Sequence, residues 1–302
     1  MSEFKEIKSI SELHKILGVS KPTHPAISLV HANQVKWDKE VLLNRKFILD
    51  FYMISLKYHD SSMKYGRNYY DFDEGSLVFM APGQVVEMQR QPSQGMEEGW
   101  TLFFHPDLIL QSELGKKIGA YSFFSYAINE ALHLSDVEKT MITRCVDAIE
   151  QECKQNIDRH SQTVIISNLE LLLNYCHRYY DRQFYTRSNH QKNIVIEIEE
   201  LISSYFESEE ALKSGILTVK YCADQVHLSP NYLSDLLKKE TGKNTQEHIH
   251  YHLIEKAKSL LLNSQKSVSE IAYDLGFEYP QYFGNLFKKK TGLSPVEFRK
   301  VI

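Results

Sequence analysis

The sequence predicts an α+β protein of two domains, the first rich in strands and the second built only of helices. A chain of 302 residues is long enough for two cores, since a domain usually holds about 100 to 200 residues. The chain favours short strands from about residue 26 to residue 110, and beyond residue 135 its apolar residues recur at helical spacing. A segment repeated fifty residues apart near the end predicts two copies of one helical unit.

The composition is that of a globular protein, with 42% hydrophobic and 25% charged residues. No stretch approaches the length of a membrane span, about 20 apolar residues. The first twenty residues mix acidic and basic side chains, so they lack the apolar block of a secretory signal. We therefore expect a cytoplasmic protein. Its four cysteines form no C-x-x-C pair, which favours buried thiols over a zinc or redox centre: Cys145, Cys153, Cys176 and Cys222.

The formal net charge of −4 conceals an asymmetry between the two parts of the chain. Residues 216–302 contain 12 Lys and Arg against 9 Asp and Glu, a net charge of +3. The other 23 basic and 30 acidic residues give residues 1–215 a net charge of −7. The C-terminal part is therefore the candidate for a polyanionic partner, although a solvated basic face is common in proteins that have none.

The first domain contains closely spaced segments that favour strands. The run KFILDFYMISLKY at 46–58 is rich in aromatic and β-branched residues, and DFDEGSLVFMAPGQVVEM at 71–88 alternates turns with two short strands. Such spacing predicts a small antiparallel barrel or sandwich. Its aromatic residues either fill the core or line a ligand cavity: Phe47, Phe51, Tyr52, Tyr58, Tyr69, Tyr70, Phe72 and Phe79.

Helices follow the strands. Ser135 and Glu138 form an S-x-x-E capping box at the start of the first helix. The second helix, about 163–180, is apolar almost all round, so it must be covered on more than one side. The strands, the preceding helix or a second copy of the chain could supply this cover. We expect this helix to present a dimer surface that includes Leu172.

A third helix, 192–206, leads into the charged segment FESEEALKSG at 206–215. This segment ends in glycine and is interpreted as a connector between domains. We therefore expect a first domain of residues 1–212, made of strands and helices, and a second domain of residues 213–302.

The repeat consists of SPNYLSDLLKKETG at 229–242 and YPQYFGNLFKKKTG at 279–292. When residues 218–247 are aligned with 268–297 without gaps, nine of the thirty positions are identical, which is far above chance. The second domain is therefore predicted to be a tandem of one supersecondary unit. A helix at 246–263 lies between the two copies and can hold them apart as a strut about 24 Å long.

Each copy has the pattern of two helices joined by a tight turn. In the second copy, Ser267 and Glu270 cap the first helix, Gly276 can adopt the positive φ that ends it, and Pro280 suits the start of the next. Phe283 and its neighbours then form an apolar stripe on the second helix. This pattern predicts a helix-turn-helix, whose second helix enters the major groove of DNA.

The outer face of each second helix holds the candidate DNA contacts. The positions predicted to face bases are Asn231, Ser234, Asp235, Gln281, Gly284 and Asn285. Asn and Gln pair a donor with an acceptor and fit the edge of adenine. Gly284 either permits a close approach to DNA or is only tolerated at the surface. The positions predicted to meet phosphates are Lys238, Lys239, Lys288, Lys289 and Lys290.

With these residues the tandem resembles the DNA-binding domain of the AraC/XylS family of bacterial transcription regulators. The resemblance covers residues 216–300, and its most specific part is SEIAYDLGFEYPQYFGNLFKKKTGLSPVEFRK. It implies a sequence-specific DNA-binding regulator of transcription that reads adjacent major grooves with its two recognition helices. Asp235 departs from the Arg or other polar residue often met at its position, and it either accepts from cytosine N4 or repels the backbone.

The N-terminal part is similar to the family's cupin-like β-barrel followed by a helical dimerisation segment. That module dimerises in many members and binds an effector in some. The resemblance therefore implies double-stranded DNA and a second copy of the chain as partners. A small-molecule effector, of unknown identity, and RNA polymerase are further partners of such regulators. No membrane partner is expected.

A different class also fits the strands, namely a cupin-type ligand-binding or catalytic protein with a helical interaction tail. Cupin chemistry needs clustered ligands, usually two His and a carboxylate, whereas His59 stands alone in its segment. His248 and His252 share a helix face but have no third ligand nearby. We therefore expect no enzymatic activity, no catalytic residue, no metal and no cofactor.

Overall fold

The structure of the protein is a computed structural model. It describes residues 4–36, 46–57, 75–87, 99–127, 130–155, 158–186, 188–208 and 210–300. The chain divides into two compact units, Met1–Tyr185 and Thr186–Ile302. The two predicted domains, 1–212 and 213–302, meet at a later point, and the helix predicted at 192–206 belongs to the second unit.

The first unit contains two sheets. Their strands are β1 (Phe4–Ile7), β2 (Ile27–His31), β3 (Lys46–Leu49), β4 (Tyr52–Lys57), β5 (Ser76–Met80), β6 (Val85–Glu87), β7 (Trp100–Phe104) and β8 (Leu132–His133). The smaller sheet has the order β1-β3-β6, and the larger has the order β2-β7-β4-β5-β8. The pair β1–β3 is parallel, and the other pairs are antiparallel.

These strands do not form the closed barrel that the cupin-like prediction implies. Closure requires every strand to pair on both sides. In the described part of the chain, β2 and β8 each pair with a single neighbour and stand at the two edges of the larger sheet. The mixed α/β character is confirmed, whereas a ring of strands is not seen. Of the predicted aromatic and histidine positions, Tyr58, His59, Tyr69, Tyr70 and Phe72 lie outside the described residues.

The described aromatic residues of the strands fill the core rather than line a cavity. Phe47 and Phe51 are buried in a cluster with helix α1 (Ile10–Leu17). Tyr52 stacks on Phe104, with ring centroids 4.8 Å apart. Phe79 is buried, and its ring centroid lies 4.5 Å from that of Phe123. Of the two alternatives that the sequence left open, the core interpretation therefore holds for the buried Phe47, Phe51 and Phe79, whereas Tyr52 is half-buried.

Among its described residues, the first unit has three further α-helices: α2 (Glu113–Lys117), α3 (Asp136–Lys154) and α4 (Ser161–Thr186), the last of which ends one residue beyond Tyr185. The capping box of Ser135 and Glu138 at the start of α3 is confirmed. Helix α4 is longer than predicted at both ends, and Leu172 on this helix is fully buried. Leu172 therefore cannot contribute to a dimer surface as predicted.

All four cysteines are unpaired and buried, as the sequence predicts. Burial raises the pKa of the Cys153 and Cys222 thiols to about 11. Both side chains are therefore protonated at neutral pH and are poor nucleophiles.

The second unit is all-helical. Its helices are α5 (Ser188–Glu207), α6 (Glu210–Ser214), α7 (Val219–Gln225), α8 (Pro230–Thr241), α9 (Thr245–Asn263), α10 (Val268–Asp274), α11 (Pro280–Thr291) and α12 (Pro295–Lys300). Helix α5 packs against α8 and α9 through a buried stripe that includes Ile198, Ile202 and Tyr205. The predicted connector at 206–215 is partly wrong, because α6 lies within it and Ala211 is buried. Within the described residues, no helix is both long enough and apolar enough to cross a membrane.

Candidate nucleic-acid interface

The repeated segments form two helix-turn-helix units, α7–α8 and α10–α11. Both second helices begin at a proline and end at a glycine with positive φ, Gly242 at 79° and Gly292 at 83°. The capping box of Ser267 and Glu270 starts α10. These local features agree with the sequence prediction.

The turn of the second helix-turn-helix unit, between α10 and α11, is closely packed against the chain before α7. Gly276 has a φ of 86°, and an added Cβ would lie 2.4 Å from the carbonyl carbon of Gly215. The two backbones can approach this closely because Gly276 has no side chain, whereas a Cβ on Gly215 would lie 3.8 Å from the carbonyl oxygen of Gly276, an ordinary contact. The chain before α7 is thereby held against the turn that sets the direction of α11. The sequence predicted the positive φ of Gly276 but not its contact with Gly215.

Helix α11 turns its apolar stripe inward. Phe283 and Phe287 are fully buried, and their rings pack against Phe277 and Phe298 with centroid distances of 5.4 Å in both pairs. Because successive residues are about 100° apart around a helix, burial of Phe283 and Phe287 directs Gln281 and Asn285 to the opposite face. Both side chains are exposed. Two amides are therefore presented to solvent one helical turn apart.

Helix α8 has the same arrangement, but two of its polar side chains are less available for contacts with DNA. Leu233 and Leu237 are fully buried, and Asn231 is exposed. Asp235 is half-buried. The hydroxyl of Ser234 donates to Oγ1 of the buried Thr245, at 3.2 Å, so it is already engaged with the start of α9. A base contact from Ser234 would have to share this hydroxyl.

The predicted phosphate-binding lysines are all exposed, but the two recognition helices differ in charge. Lys238 and Lys239 of α8 are balanced by two acidic residues on the same helix, Asp235 and Glu240, which gives a net charge of zero. Helix α11 contains three lysines and no acidic residue, a net charge of +3. The second helix-turn-helix unit, α10–α11, therefore attracts a polyanion more strongly than the first.

Helix α9 joins the units and is well braced. Its 19 residues span about 28 Å at 1.5 Å per residue. Asn244 and Glu247 form a capping box at its start, which the sequence analysis missed although N-x-x-E is a recognisable variant of that motif. At its end, Arg299 of α12 donates to the carbonyl oxygens of Leu261 and Lys266, at 3.0 and 2.8 Å. The second helix-turn-helix unit is thereby fixed to the end of α9.

The histidines of α9 have structural contacts. His248 is buried; its Nε2 lies 2.7 Å from Oγ1 of Thr241, and its Nδ1 lies 3.8 Å from Glu199 of α5. Burial lowers the pKa of His248. In the described part of the chain, no group of three His, Cys, Asp or Glu side chains is placed to hold a metal ion.

Gly284 is not required by the fold. A Cβ at this position would meet nothing within 4 Å. Replacing Gly284 with alanine is therefore expected to raise the free energy of unfolding by about 1 kcal/mol, since alanine is the better helix former. If the glycine serves close approach to DNA, the same variant binds DNA more weakly. Thermal unfolding and a DNA-binding titration test both effects, and greater stability with unchanged DNA affinity would show that the glycine is only tolerated.

The chain is similar to known proteins over part of its length. A family described as a helix-turn-helix domain matches residues 222–301. YesN of Bacillus subtilis, an uncharacterized transcriptional regulatory protein, is 41% identical over 87 residues, which are 28% of this chain and 24% of YesN. AdaA of the same organism, a bifunctional transcriptional activator/DNA repair enzyme, is 30% identical over 149 residues, which are 49% of this chain and 68% of AdaA.

Among solved structures, the C-terminal domain of AraT, a response regulator from Geobacillus stearothermophilus, shares 31% identity with this chain. The TM-score is 0.32, and the match covers 36% of this chain and 85% of that domain. The chain spans less than half the length of the first curated relatives that it matches, 24% of YesN and 43% of YijO from Escherichia coli.

Proposed function

The chain belongs to the AraC/XylS family of transcription regulators, and from this premise we infer that the protein regulates transcription by binding specific sequences of double-stranded DNA. The observation that carries the proposal is the arrangement of α8 and α11. Each helix buries its apolar stripe and leaves amide and lysine side chains exposed on the opposite face. A helix with such a face matches the width of the major groove and can read base edges there.

We assign base reading to six residues and phosphate contact to five. The base-facing residues are Asn231, Ser234, Asp235, Gln281, Gly284 and Asn285, and the phosphate-binding residues are Lys238, Lys239, Lys288, Lys289 and Lys290. The hydrogen bond of Ser234 to Thr245 and the acidic charge of Asp235 weaken the contacts that α8 can make with bases. We propose that α11 supplies most of the affinity.

The proposal is tested by titrating the full chain against duplexes that are enriched for binding from a random-sequence library. If all five lysines neutralise phosphates, the affinity should fall about 500-fold between about 50 and 200 mM salt. A cupin-type protein with a helical interaction tail would not bind the enriched duplexes. Absence of binding at about 50 mM salt would therefore favour that class of protein.

We propose that the first compact unit, Met1–Tyr185, is a cupin-like regulatory and dimerising module. Its helix α4 offers a different dimer surface from the one first predicted. Leu171 is 45% exposed, and Val164, seven residues earlier on the same helical stripe, is also exposed. Replacing Leu171 with glutamate is expected to convert dimers to monomers, because a charge would be buried at the contact.

Light scattering measures this change in mass. Thr163→Glu provides the matched control, since Thr163 is exposed on another side of α4 and its replacement should leave the dimer intact. An unchanged mass for Leu171→Glu would eliminate this surface. A small-molecule effector and contact with RNA polymerase belong to the same proposal, and family membership supports both.

A further inference from the structure

The two helix-turn-helix units differ at a pair of matched tyrosines. Tyr232 near the start of α8 and Tyr282 near the start of α11 occupy equivalent positions of the repeat. Tyr232 is 5% exposed, whereas Tyr282 is 59% exposed. The same residue type therefore belongs to the core in the first unit and to the surface in the second.

A second exposed ring accompanies Tyr282. Tyr279, the residue before α11, is 50% exposed, and its ring centroid lies 5.8 Å from that of Tyr282, with the rings at 86° to each other. The first unit has Ser229 at the corresponding position. The second helix-turn-helix unit thus presents two exposed tyrosine rings packed edge to face. The first helix-turn-helix unit has no such pair at the matched positions.

The position of this pair relates it to the base-reading face. Gln281 directly precedes Tyr282, so the two side chains leave α11 about 100° apart. The rings therefore border the face that presents Gln281 and Asn285. A ligand bound to α11 would cover this exposed pair of large rings, and its apolar surface would then be removed from water.

Thymine matches the chemistry of this border. Its 5-methyl group is the apolar feature of the major groove, and it lies in the same groove as the adenine edge that a glutamine reads. A ring beside Gln281 can pack on that methyl group while the amide pairs with a nearby base. We propose that Tyr279 and Tyr282 form a second reading element of α11, which recognises thymine methyl groups beside the base pair contacted by Gln281.

This inference rests on the proposed function and extends it. The first helix-turn-helix unit lacks this pair of exposed rings, because Tyr232 is buried and Ser229 stands at the position of Tyr279. The two halves of a binding site would therefore differ: the half read by α11 requires thymine methyl groups, and the half read by α8 does not.

The test replaces each thymine of the enriched duplex, one at a time, with deoxyuridine, which removes only the methyl group. The unmodified full chain should bind about fourfold more weakly at one or two such positions. Tyr282→Ala, or Tyr279→Ser as in the first unit, should bind the thymine and deoxyuridine duplexes equally well. No variant is needed for the first measurement, so it does not depend on any variant folding.

Two controls separate this contact from other roles of the rings. Tyr282→Phe should retain the methyl preference, whereas loss equal to that of Tyr282→Ala would mean that the hydroxyl binds phosphate and would overturn the proposal. Tyr273→Ala, an exposed tyrosine on α10, should change nothing. Duplex binding that tolerates deoxyuridine at every position sinks this inference alone, while failure to bind any duplex sinks the proposed function.

Discussion

Replacing Gly276 with alanine is expected to destabilise the second unit by about 2 to 4 kcal/mol. Two penalties add at this residue. Its φ of 86° is strained for any residue with a side chain, and the new Cβ would lie 2.4 Å from the carbonyl carbon and 2.6 Å from the oxygen of Gly215. These neighbours are backbone atoms, so relief requires the segment before α7 to move away from the turn.

The repeat provides a matched control for this variant. Gly292 has a φ of 83°, but a Cβ there would meet nothing within 4 Å. Gly292→Ala should therefore cost only the backbone strain, about 1 to 2 kcal/mol. The excess loss in Gly276→Ala measures the contact with Gly215. Equal losses in the two variants would show that the contact does not constrain the turn.

Denaturant unfolding followed by far-ultraviolet circular dichroism measures both variants, because the second unit is all-helical. Tryptophan fluorescence supplies an internal reference. The two tryptophans of the chain, Trp37 and Trp100, both fall within the sequence range Met1–Tyr185 of the first unit, so the fluorescence transition should stay unchanged. A shifted fluorescence transition would mean that the substitution affects more than the second unit.

Replacing Gln281 or Asn285 with alanine is expected to relax the preference for one base pair by about 1 to 3 kcal/mol each. Each amide offers a donor and an acceptor from the exposed face of α11, and its loss leaves the base edge without that pair. Lys289→Ala serves as the contrast. It should weaken binding to all sequences alike and reduce the slope of log affinity against log salt by about 1.

Competition binding between the enriched duplex and its single base-pair variants, repeated at several salt concentrations, measures both effects. The amide variants should change the ranking of duplexes and leave the salt slope unchanged. The lysine variant should preserve the ranking and change the slope. Identical behaviour of the two kinds of variant would contradict the division of α11 into base-reading and phosphate-binding residues.

Local rules of the chain were sufficient to predict much of the second unit. The capping box of Ser267 and Glu270, the prolines that begin α8 and α11 and the glycines that end them depend on residues within one turn of each other. The apolar stripe of each recognition helix follows from helical periodicity. The family resemblance came from these same residues and did not need the tertiary structure.

The first unit was less accessible, because strand pairing joins residues far apart in the chain. The strand-rich character was correct, but the pairing into two sheets could not be read from spacing and turn residues. Helix α4 was correctly predicted as a helix, and its exposed positions include Leu171 and Asn174. Only packing decided that Leu172 is buried while Leu171 remains exposed.

The sequence by itself therefore determined the duplicated helix-turn-helix and the identity of its polar face, since both arise from short-range periodicity and capping. The tertiary structure alone decided that α5 packs on the first recognition helix and that Gly215 meets Gly276. It also decided that matched tyrosines have opposite exposures. The physical reason is that burial depends on which distant segment arrives at a surface, and identical residues in a repeat receive different neighbours.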